Sequence, residues 1–311
     1  MTKISIIGAG FVGQIVGETL AREQIGDEVV LFDIIEGRPQ GLGLDLKESN
    51  SVTLSDTHIY GSNQYEGHLN DSDIVVVAAG FPRKPGMDRM DLLKKNLDIN
   101  KDVIGNVKKY APNAIVIYVA NPVDVMTYAA WKLSGFPHNR VLGMAGVLDT
   151  SRFKAFVSME ANVSVKDIQA MVLGGHGDAM VPIISHANIG GVPLTHFLAK
   201  EKIDAIVNRT RKGGGEIVNL LKTGSAYFAP GMAAAQMVKS IVYNERRILP
   251  VVAYIDNKYG FNDVYAGVPA ILGKNGVEEV LEIDLAPEEK EAFNTSLTGV
   301  KKGCDEVKTL L

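Results

Sequence analysis

The sequence predicts an α/β protein in which an N-terminal doubly wound parallel sheet is followed by a C-terminal α+β domain. Strand-like and helix-like segments alternate up to about residue 148, which is the pattern of a parallel sheet with crossover helices. Two strand-like segments, residues 73–80 and 113–122, are rich in Val, Ile and Ala, as expected when helices cover both faces of a sheet. Beyond them the pattern changes to long helices and hairpin-like strands. We therefore predict two domains, residues 1–148 and 149–311.

The first domain begins with a strand, a helix and a second strand. Residues 3–8, KISIIG, form an apolar run of strand length. Apolar residues then recur at the spacing of a helix face, at Val12, Ile15, Val16 and Leu20. Residues 28–33, EVVLFD, form the next strand, and residues 91–112 form a long amphipathic helix that ends at Pro112.

The second domain is predicted to contain long helices and antiparallel hairpins. Helical segments are expected around residues 150–162 and 202–245, and the segments ILPVVAYIDNKYG and DVYAGVPAILGKNGVEEVLEIDL alternate and turn like hairpins. The C-terminal segment from Pro287 is an amphipathic helix with a solvated charged face. Residues 213–215 are three glycines inside a predicted helix, where each costs about 1 kcal/mol relative to Ala. We expect this run to pack closely against another helix or a subunit.

Composition and charge exclude several classes of protein. The chain has 311 residues, a formal net charge of −4, 46% hydrophobic and 22% charged residues, which is an ordinary globular balance. An acidic chain lacks the basic footprint of a nucleic-acid-binding protein. We therefore expect no nucleic-acid partner.

The sequence also predicts a soluble, cytoplasmic protein with no membrane partner. The longest apolar runs are far shorter than the roughly 18 residues that a membrane-spanning helix needs. The segment ISIIGAGFVGQIVG resembles a signal-peptide core, but its regularly spaced glycines fit a ligand-binding turn better. The single cysteine, Cys304, allows neither a disulfide nor a cysteine-based metal site within one chain, which fits a reducing compartment.

The first strand is followed by a motif for binding a dinucleotide. Residues 8–13, GAGFVG, match GxGxxG between a predicted strand and a predicted helix, the context that makes this Rossmann motif specific. Gly8 permits the tight turn, Gly10 lets the backbone approach the pyrophosphate, and Gly13 lets helix and strand pack closely. The diphosphate would lie at the helix N-terminus, whose free N–H groups and dipole favour an anion. A glycine-rich turn without a ligand is the alternative.

Asp33 predicts which dinucleotide is bound. It ends the second strand, twenty residues after Gly13. A carboxylate at this position accepts hydrogen bonds from both ribose hydroxyls and repels a 2′-phosphate. We therefore predict NAD as the cofactor and regard an NADP enzyme as the disfavoured alternative.

His176 is the most distinctive of the six histidines. It lies between glycines in GGHGD, after a short apolar strand, so the backbone on both sides can turn its side chain toward a ligand. Asp149 and Arg152 stand three residues apart in GVLDTSRF, at a strand-to-helix junction. By itself Asp149 could equally be a helix N-cap.

The quoted motifs resemble one family along the whole chain. GAGFVG, LFD, AAGFPRKPGMDR, VANPVD, GVLDTSRF and GGHGD occur in the order and spacing of the lactate/malate dehydrogenases. The chain is most similar to the malate dehydrogenases built on the lactate-dehydrogenase pattern. The resemblance implies an N-terminal NAD-binding Rossmann domain and a C-terminal α+β catalytic domain that holds the substrate.

The resemblance also implies a role for each matching residue. His176 would be the general acid/base, and Asp149 would fix its tautomer and stabilise its imidazolium. Arg152 would clamp the carboxylate next to the reacting carbon, and Arg89 would polarise the C2 oxygen. Asn121, in VANPVD, would hydrogen-bond both substrate and nicotinamide. The implied cofactor contacts are Gly8, Gly10, Phe11, Val12, Gly13, Asp33, Asn96, Val119 and Asn121.

The segment AAGFPRKPGMDR predicts the substrate. Its prolines and glycines are expected to bracket a lid at the carboxyl end of a strand. Malate dehydrogenases of the family have arginine where this chain has Arg83, whereas lactate dehydrogenases have glutamine. Arg83 would pair with the second carboxylate of malate or oxaloacetate, Ala226 would leave room for that group, and Lys84 would face solvent. A lactate or other 2-hydroxy-acid dehydrogenase is the alternative.

Further properties follow from the resemblance. The residues themselves show no pattern of a metal site. The resemblance implies a homo-oligomer, with a tetramer favoured over a dimer, and a role in the tricarboxylic acid cycle. The alternative from another class is a binding protein that kept the NAD fold and lost catalysis. That alternative is disfavoured because each implied catalytic and substrate-binding residue is present in the chain.

Cofactor choice can be tested at Asp33. Replacing Asp33 with Ser and Ile34 with Arg should shift the preference from NADH toward NADPH, because the change removes a negative charge and adds a partner for a 2′-phosphate. The measurement is the ratio of kcat/KM for the two cofactors. A wild-type protein that uses both equally would contradict the assignment.

Overall fold

A computed structural model describes residues 1–81 and 89–311, and of Arg89 it describes the main chain. The first half alternates strands and helices as the sequence predicts. Its elements are β1 (Lys3–Ile7), α1 (Phe11–Arg22), β2 (Glu28–Phe32), α2 (Arg38–Thr53), β3 (His58–Ser62), β4 (Ile74–Val77), α3 (Arg89–Tyr110), β5 (Ile115–Tyr118), α4 (Val123–Ser134) and β6 (Val141–Gly143).

The second half contains long helices, short strand pairs and a pair of long strands. Its elements are α5 (Gly146–Ala161), β7 (Ile168–Gln169), β8 (Val172–Leu173), β9 (Val181–Pro182), β10 (Asn188–Ile189), β11 (Val192–Pro193), α6 (Leu194–Phe197), α7 (Lys200–Leu221), α8 (Phe228–Val242), β12 (Arg247–Ile255), β13 (Val264–Gly273), β14 (Gly276–Val280) and α9 (Pro287–Lys308). Within the described residues, no helix is both long and apolar enough to cross a membrane.

The main sheet joins the two halves of the chain. In the described part of the protein it has nine strands, in the order β14-β13-β12-β6-β5-β4-β1-β2-β3. The strands from β6 to β3 are parallel and have the order of a doubly wound sheet, which confirms the predicted fold class. The predicted hairpin strands are antiparallel, and β12 pairs with β6, so they extend the first domain's sheet. The predicted boundary at 148/149 lies inside α5 and stays a prediction.

The inner strands are buried because helices cover them on both sides. All four residues of β4 and all four of β5 are buried, which explains their continuous apolar sequence. Both strands are shorter than the predicted segments 73–80 and 113–122, because the chain leaves strand geometry after Val77 and after Tyr118. A second, smaller cluster of buried side chains lies under α5 and α7 and includes Phe153, Val157 and Ile206.

The helical region predicted around residues 202–245 consists of two helices. The main chain leaves helical geometry after α7, where Lys222 has φ +65° and Gly224 has φ +88°. Both values lie in the left-handed region, which ends helices. The break places residues 225–230 beside the cleft at the carboxyl end of the sheet.

The glycine run of α7 packs against a helix of the same chain. Close packing against another helix is thus found, which was one of the two partners that the sequence predicts. A Cβ at Gly213 would lie 3.2 Å from Cδ of Arg152 in α5, and a Cβ at Gly214 would lie 3.6 Å from its Nη2. A Cβ at Gly215 would meet no described atom within 4 Å. Gly213 therefore makes room for the Arg152 side chain, a Cβ at Gly214 would be in ordinary contact with it, and Gly215 faces open space.

This difference predicts unequal effects of alanine on stability. Gly215→Ala should raise the free energy of unfolding by up to about 1 kcal/mol, because alanine favours the helix and its methyl group has room. Gly213→Ala should raise the free energy of unfolding by less than Gly215→Ala does, or lower it, because its methyl group would press on Arg152. Urea unfolding of both variants measures the difference. Equal stabilisation would show that the contact at Gly213 imposes no constraint.

Candidate active site

A cleft of about 580 Å³ lies at the carboxyl ends of the parallel strands. Doubly wound sheets bind their ligands at this edge because loops from both sides of the sheet meet there. The lining comes from both halves of the chain and includes Val12, Phe81, Val119, Asn121, Arg152, His176, Arg211, Ala226 and Pro230. The cleft thus collects residues that are far apart in the sequence.

The glycine motif forms a close turn between β1 and α1. Gly8 has φ +102°, and a Cβ there would lie 2.5 Å from the backbone nitrogen of Ala79. A Cβ at Gly13 would lie 2.0 Å from the carbonyl oxygen of Gly8, which confirms the predicted close packing of helix and strand. A Cβ at Gly10 would meet no atom of the described chain within 4 Å. The helix N-terminus is therefore open, and it fits the pyrophosphate of a dinucleotide.

The aromatic residue Phe11 and the aliphatic residue Val12 follow this turn. Phe11 is 60% exposed, and its ring stacks on Tyr227 with the centroids 5.1 Å apart. Val12 is partly buried and lines the cleft. Both residues are at the start of α1, where a bound dinucleotide would pass.

Asp33 follows β2 directly at the same edge of the sheet. Its Oδ1 accepts a hydrogen bond from the backbone N–H of Ile35 at 3.0 Å, which fixes the side chain. Ile34 is 96% exposed. The carboxylate is half-buried, so its second oxygen can accept from ribose hydroxyls, as the sequence predicts for NAD.

The structure brings His176, Asp149 and Arg152 together. Nδ1 of His176 lies 2.9 Å from Oδ2 of Asp149, and Nη1 of Arg152 lies 3.3 Å from Oδ1 of the same carboxylate. Asp149 is buried in the first turn of α5, with 2% of its side chain exposed. This hydrogen bond leaves Nε2 as the ring atom for proton exchange with a ligand.

The surroundings of His176 favour its protonated form. Burial and the charge of Arg152 lower the pKa of His176, but the charge and hydrogen bond of Asp149 and the charge of Asp124 together outweigh them. The net pKa lies above the ordinary value of 6.5. The imidazolium is therefore stabilised in a site that excludes most water.

Asn121 and Asn96 are linked at the end of β5. The side-chain amide of Asn96 donates to the carbonyl oxygens of Asn121 and Phe81, at 2.8 and 3.3 Å, and its Oδ1 accepts from the N–H of Phe81 at 2.6 Å. Asn96 is 1% exposed and holds these two segments in place. Asn121 and Val119 line the cleft directly.

Sequence reasoning missed three residues near His176. The carboxylate of Asp124 accepts from the backbone N–H of His176 at 3.0 Å, and the hydroxyl of Ser296 accepts from the N–H of Gly175 at 2.8 Å. Arg211 lines the cleft and donates to the carbonyl oxygen of Met180 at 3.1 Å. Asp124 was visible in the VANPVD motif, but Ser296 and Arg211 lie on amphipathic helices whose sequences do not distinguish them.

The predicted lid lies outside the described residues. Arg83 and Lys84, together with the prolines and Gly86 of the same segment, fall within 82–88, and nothing is described of the Arg89 side chain. Among the residues that are described, no group of three or more His, Cys, Asp and Glu side chains could hold a metal ion.

Two family models match nearly the whole chain. The lactate/malate dehydrogenase NAD binding domain matches residues 2–143, and the lactate/malate dehydrogenase alpha/beta C-terminal domain matches residues 146–311. The chain is 54% identical over 308 residues to a malate dehydrogenase of Roseiflexus sp. (strain RS-1), covering 99% of each chain.

Solved structures agree in fold. An apo malate dehydrogenase from Picrophilus torridus has a TM-score of 0.96 at 45% identity, with 99% of this chain and 98% of that chain covered. A lactate dehydrogenase from Cryptosporidium parvum, complexed with lactic acid and nicotinamide adenine dinucleotide, has a TM-score of 0.94 at 43% identity, with the same coverage.

These matches extend over both halves of the chain and agree with the architecture and the cleft. The N-terminal half is an NAD-binding domain, so the cofactor is NAD, and the chain is an oxidoreductase. The chain belongs to the lactate/malate dehydrogenase family.

Proposed function

We propose that the chain catalyses the reversible oxidation of (S)-malate to oxaloacetate with NAD as hydride acceptor. It is an NAD-dependent oxidoreductase with malate dehydrogenase activity. One observation of the site carries the proposal. The buried His176–Asp149 pair faces the same cleft as the open N-terminus of α1 and the guanidinium of Arg152. An acid/base, a cofactor cradle and a carboxylate anchor are the groups that oxidation of a 2-hydroxy acid requires of the protein.

The cofactor cradle is formed by the β1–α1 turn and the residues around it. Gly10 would let the backbone approach the pyrophosphate, Gly8 and Gly13 would shape the turn that holds it, and Asp33 would accept from the ribose hydroxyls. Phe11, Val12 and Val119 would flank the cofactor, with Asn96 keeping Asn121 in position. When bound, NAD supplies the hydride acceptor, and NADH supplies the hydride in reverse.

The proton is exchanged at Nε2 of His176. Malate oxidation needs the neutral imidazole, which takes the proton from the C2 hydroxyl. Oxaloacetate reduction needs the imidazolium, which gives that proton back. Asp149 supports both directions because it accepts from Nδ1–H, which fixes the tautomer, and because it stabilises the positive ring.

Arginines would hold the two ends of the substrate. Arg152 lies beside the cleft and would clamp the carboxylate next to C2, while Arg89 would polarise the C2 oxygen. Arg83 would pair with the distal carboxylate, and Ala226, which lines the cleft, leaves room for it. Asn121 would hydrogen-bond the substrate and the nicotinamide amide.

A lactate dehydrogenase is the second candidate, because a Cryptosporidium parvum lactate dehydrogenase has the same fold at 43% identity. Arg83 and Ala226 favour the dicarboxylate. Pyruvate would leave the Arg83 guanidinium desolvated and without a partner charge, which disfavours its binding. The deciding experiment is NADH oxidation with oxaloacetate and, separately, with pyruvate. A preference for pyruvate would overturn the proposal.

The wider setting is proposed from the family resemblance. The chain would be a cytoplasmic homo-oligomer, a tetramer rather than a dimer, and would act in the tricarboxylic acid cycle. Its partner is a small dicarboxylate, with no nucleic acid and no membrane involved. Light scattering that shows a monomer at micromolar concentration would contradict the assembly.

The His176–Asp149 pair predicts a specific effect on turnover and on its pH dependence. Asp149→Asn should leave the fold intact and lower kcat about 10²–10⁴-fold, because the ring loses its tautomer control and the support of its positive charge. A raised pKa of His176 keeps the imidazolium present until the pH rises through that pKa. The variant loses this rise in pKa, so its imidazolium is lost at a lower pH. The activity in oxaloacetate reduction should therefore decline at a lower pH than in the wild type.

Steady-state profiles of kcat/KM against pH in both directions measure this effect. Malate oxidation needs the opposite form of His176, so its acidic limb should move in the same direction. Near-normal turnover in Asp149→Asn, with unmoved limbs, would mean that the pair is misassigned.

Substrate choice is tested at Arg83. Arg83→Gln should lower kcat/KM for oxaloacetate at least 100-fold, because losing one partner of a desolvated charge pair costs about 2–5 kcal/mol. The same change should raise kcat/KM for pyruvate. Lys84→Gln is the matched control, since it removes a neighbouring positive charge and should change neither value. If Arg83→Gln keeps the wild-type preference ratio, discrimination resides elsewhere.

A further inference from the structure

A second carboxylate lies behind the catalytic histidine. Asp124 is in the first turn of α4 and is 8% exposed. Its Oδ2 accepts a hydrogen bond from the backbone N–H of His176 at 3.0 Å. Its Oδ1 is buried and has no hydrogen-bond partner among the described residues. A buried carboxylate oxygen without a partner is costly, so its presence calls for an explanation beyond packing.

The neighbouring amide shows that a neutral acceptor is sufficient in this loop. The backbone N–H of Gly175 donates to the hydroxyl of Ser296 at 2.8 Å, and Ser296 is also buried. Two consecutive N–H groups are thus held by two different acceptors, one neutral and one ionisable. Orienting the backbone of His176 does not by itself require a carboxylate.

The groups around Asp124 form a compact charge cluster. Asp149 approaches from α5, with Arg152 paired to it, and His176 approaches from the loop after β8. Cys304 approaches from α9, and burial raises its pKa to about 12, so it stays a neutral thiol. Arg152 pairs with Asp149, so the charge of Asp124 acts on His176 and Asp149.

We propose that Asp124 is a positioning residue for His176, which holds the histidine main chain and whose ionised carboxylate increases the proton affinity of the ring. The inference rests on the proposed function of His176 as the acid/base. Asp149 acts at the ring atom Nδ1, whereas Asp124 acts from the backbone side. The two carboxylates together would keep the imidazolium available for the reduction of oxaloacetate.

The pKa of Asp124 is raised toward the pH range in which a histidine ring ionises. Burial raises the pKa of Asp124 to about 6, and the hydrogen bond and charge of His176 limit that increase. Above this pH the carboxylate is negative and supports the imidazolium, and below it the support is lost. The proton affinity of His176 should therefore depend on the state of Asp124.

The test compares a variant at each of the two acceptors of these backbone N–H groups. Asp124→Asn keeps an acceptor for the His176 N–H and removes the charge. Ser296→Ala removes the acceptor of the adjacent Gly175 N–H and changes no charge, so it is the matched control. Titration of ¹³C-histidine-labelled protein by NMR reports the midpoint of His176, whose signal is assigned by its loss in His176→Asn.

Asp124→Asn should lower the His176 midpoint by about half to one pH unit, because a nearby opposite charge is lost. The alkaline limb of kcat/KM for oxaloacetate should move down by the same amount. Ser296→Ala should leave the midpoint and the limb in place, even if it lowers kcat at every pH. An unmoved midpoint in Asp124→Asn would overturn the proposal, since a purely structural residue would lower activity without moving the titration.

Two further readouts keep the proposal testable. If Asp124→Asn does not fold, Asp124→Ser supplies a neutral hydroxyl acceptor like that of Ser296 and should shift the midpoint in the same direction. In the wild type, any second inflection of the His176 signal that reports the ionisation of Asp124 should disappear in Asp124→Asn, and one that persists would contradict the proposal. The NMR titration needs no substrate, so it is independent of whether oxaloacetate is reduced.

Discussion

The carboxylate of Asp149 is shared by Arg152 and by His176, which is a second cation when it is protonated. One oxygen lies 2.9 Å from the ring of His176, and the other lies 3.3 Å from the guanidinium of Arg152. The group is almost fully buried, so removing either cation would leave a poorly compensated charge in a low-dielectric setting. Asp149 and Arg152 are three residues apart on α5, so the carboxylate that contacts His176 and the guanidinium of Arg152 are held on one helix.

The histidine reaches this carboxylate because its loop is pinned to the main sheet. Gly174 and Gly267 exchange backbone hydrogen bonds of 2.8 and 3.1 Å, which attach the loop to β13. A Cβ at Gly267 would lie 2.5 Å from the carbonyl oxygen of Gly174, so this contact needs glycine. Asp124 and Ser296 then hold the next two N–H groups from α4 and α9. Three separate elements thus fix the direction of one imidazole.

Substrate discrimination and proton transfer are separated in the chain. The groups proposed to transfer the proton lie on α5 and on a loop attached to the sheet. The residues expected to choose the substrate are in the segment AAGFPRKPGMDR, apart from Ala226 at the wall of the cleft. Such a division lets related proteins change substrate without rebuilding the acid/base pair, which accords with the high similarity to both malate and lactate dehydrogenases.

The sequence by itself determined the fold class and the dinucleotide motif, and it predicted the site residues that the proposed function uses. Periodicity identified β4 and β5 because strands buried on both faces must be apolar throughout, and the spacing of GAGFVG and Asp33 identified the cofactor turn. Tertiary structure decided what depends on long-range contacts: the pairing of β12 with β6, the packing of Gly213 on Arg152, and the approach of Asp124 and Ser296 to the histidine loop. Local sequence cannot reveal these contacts, because each joins residues that only the folded backbone brings within hydrogen-bonding or van der Waals distance.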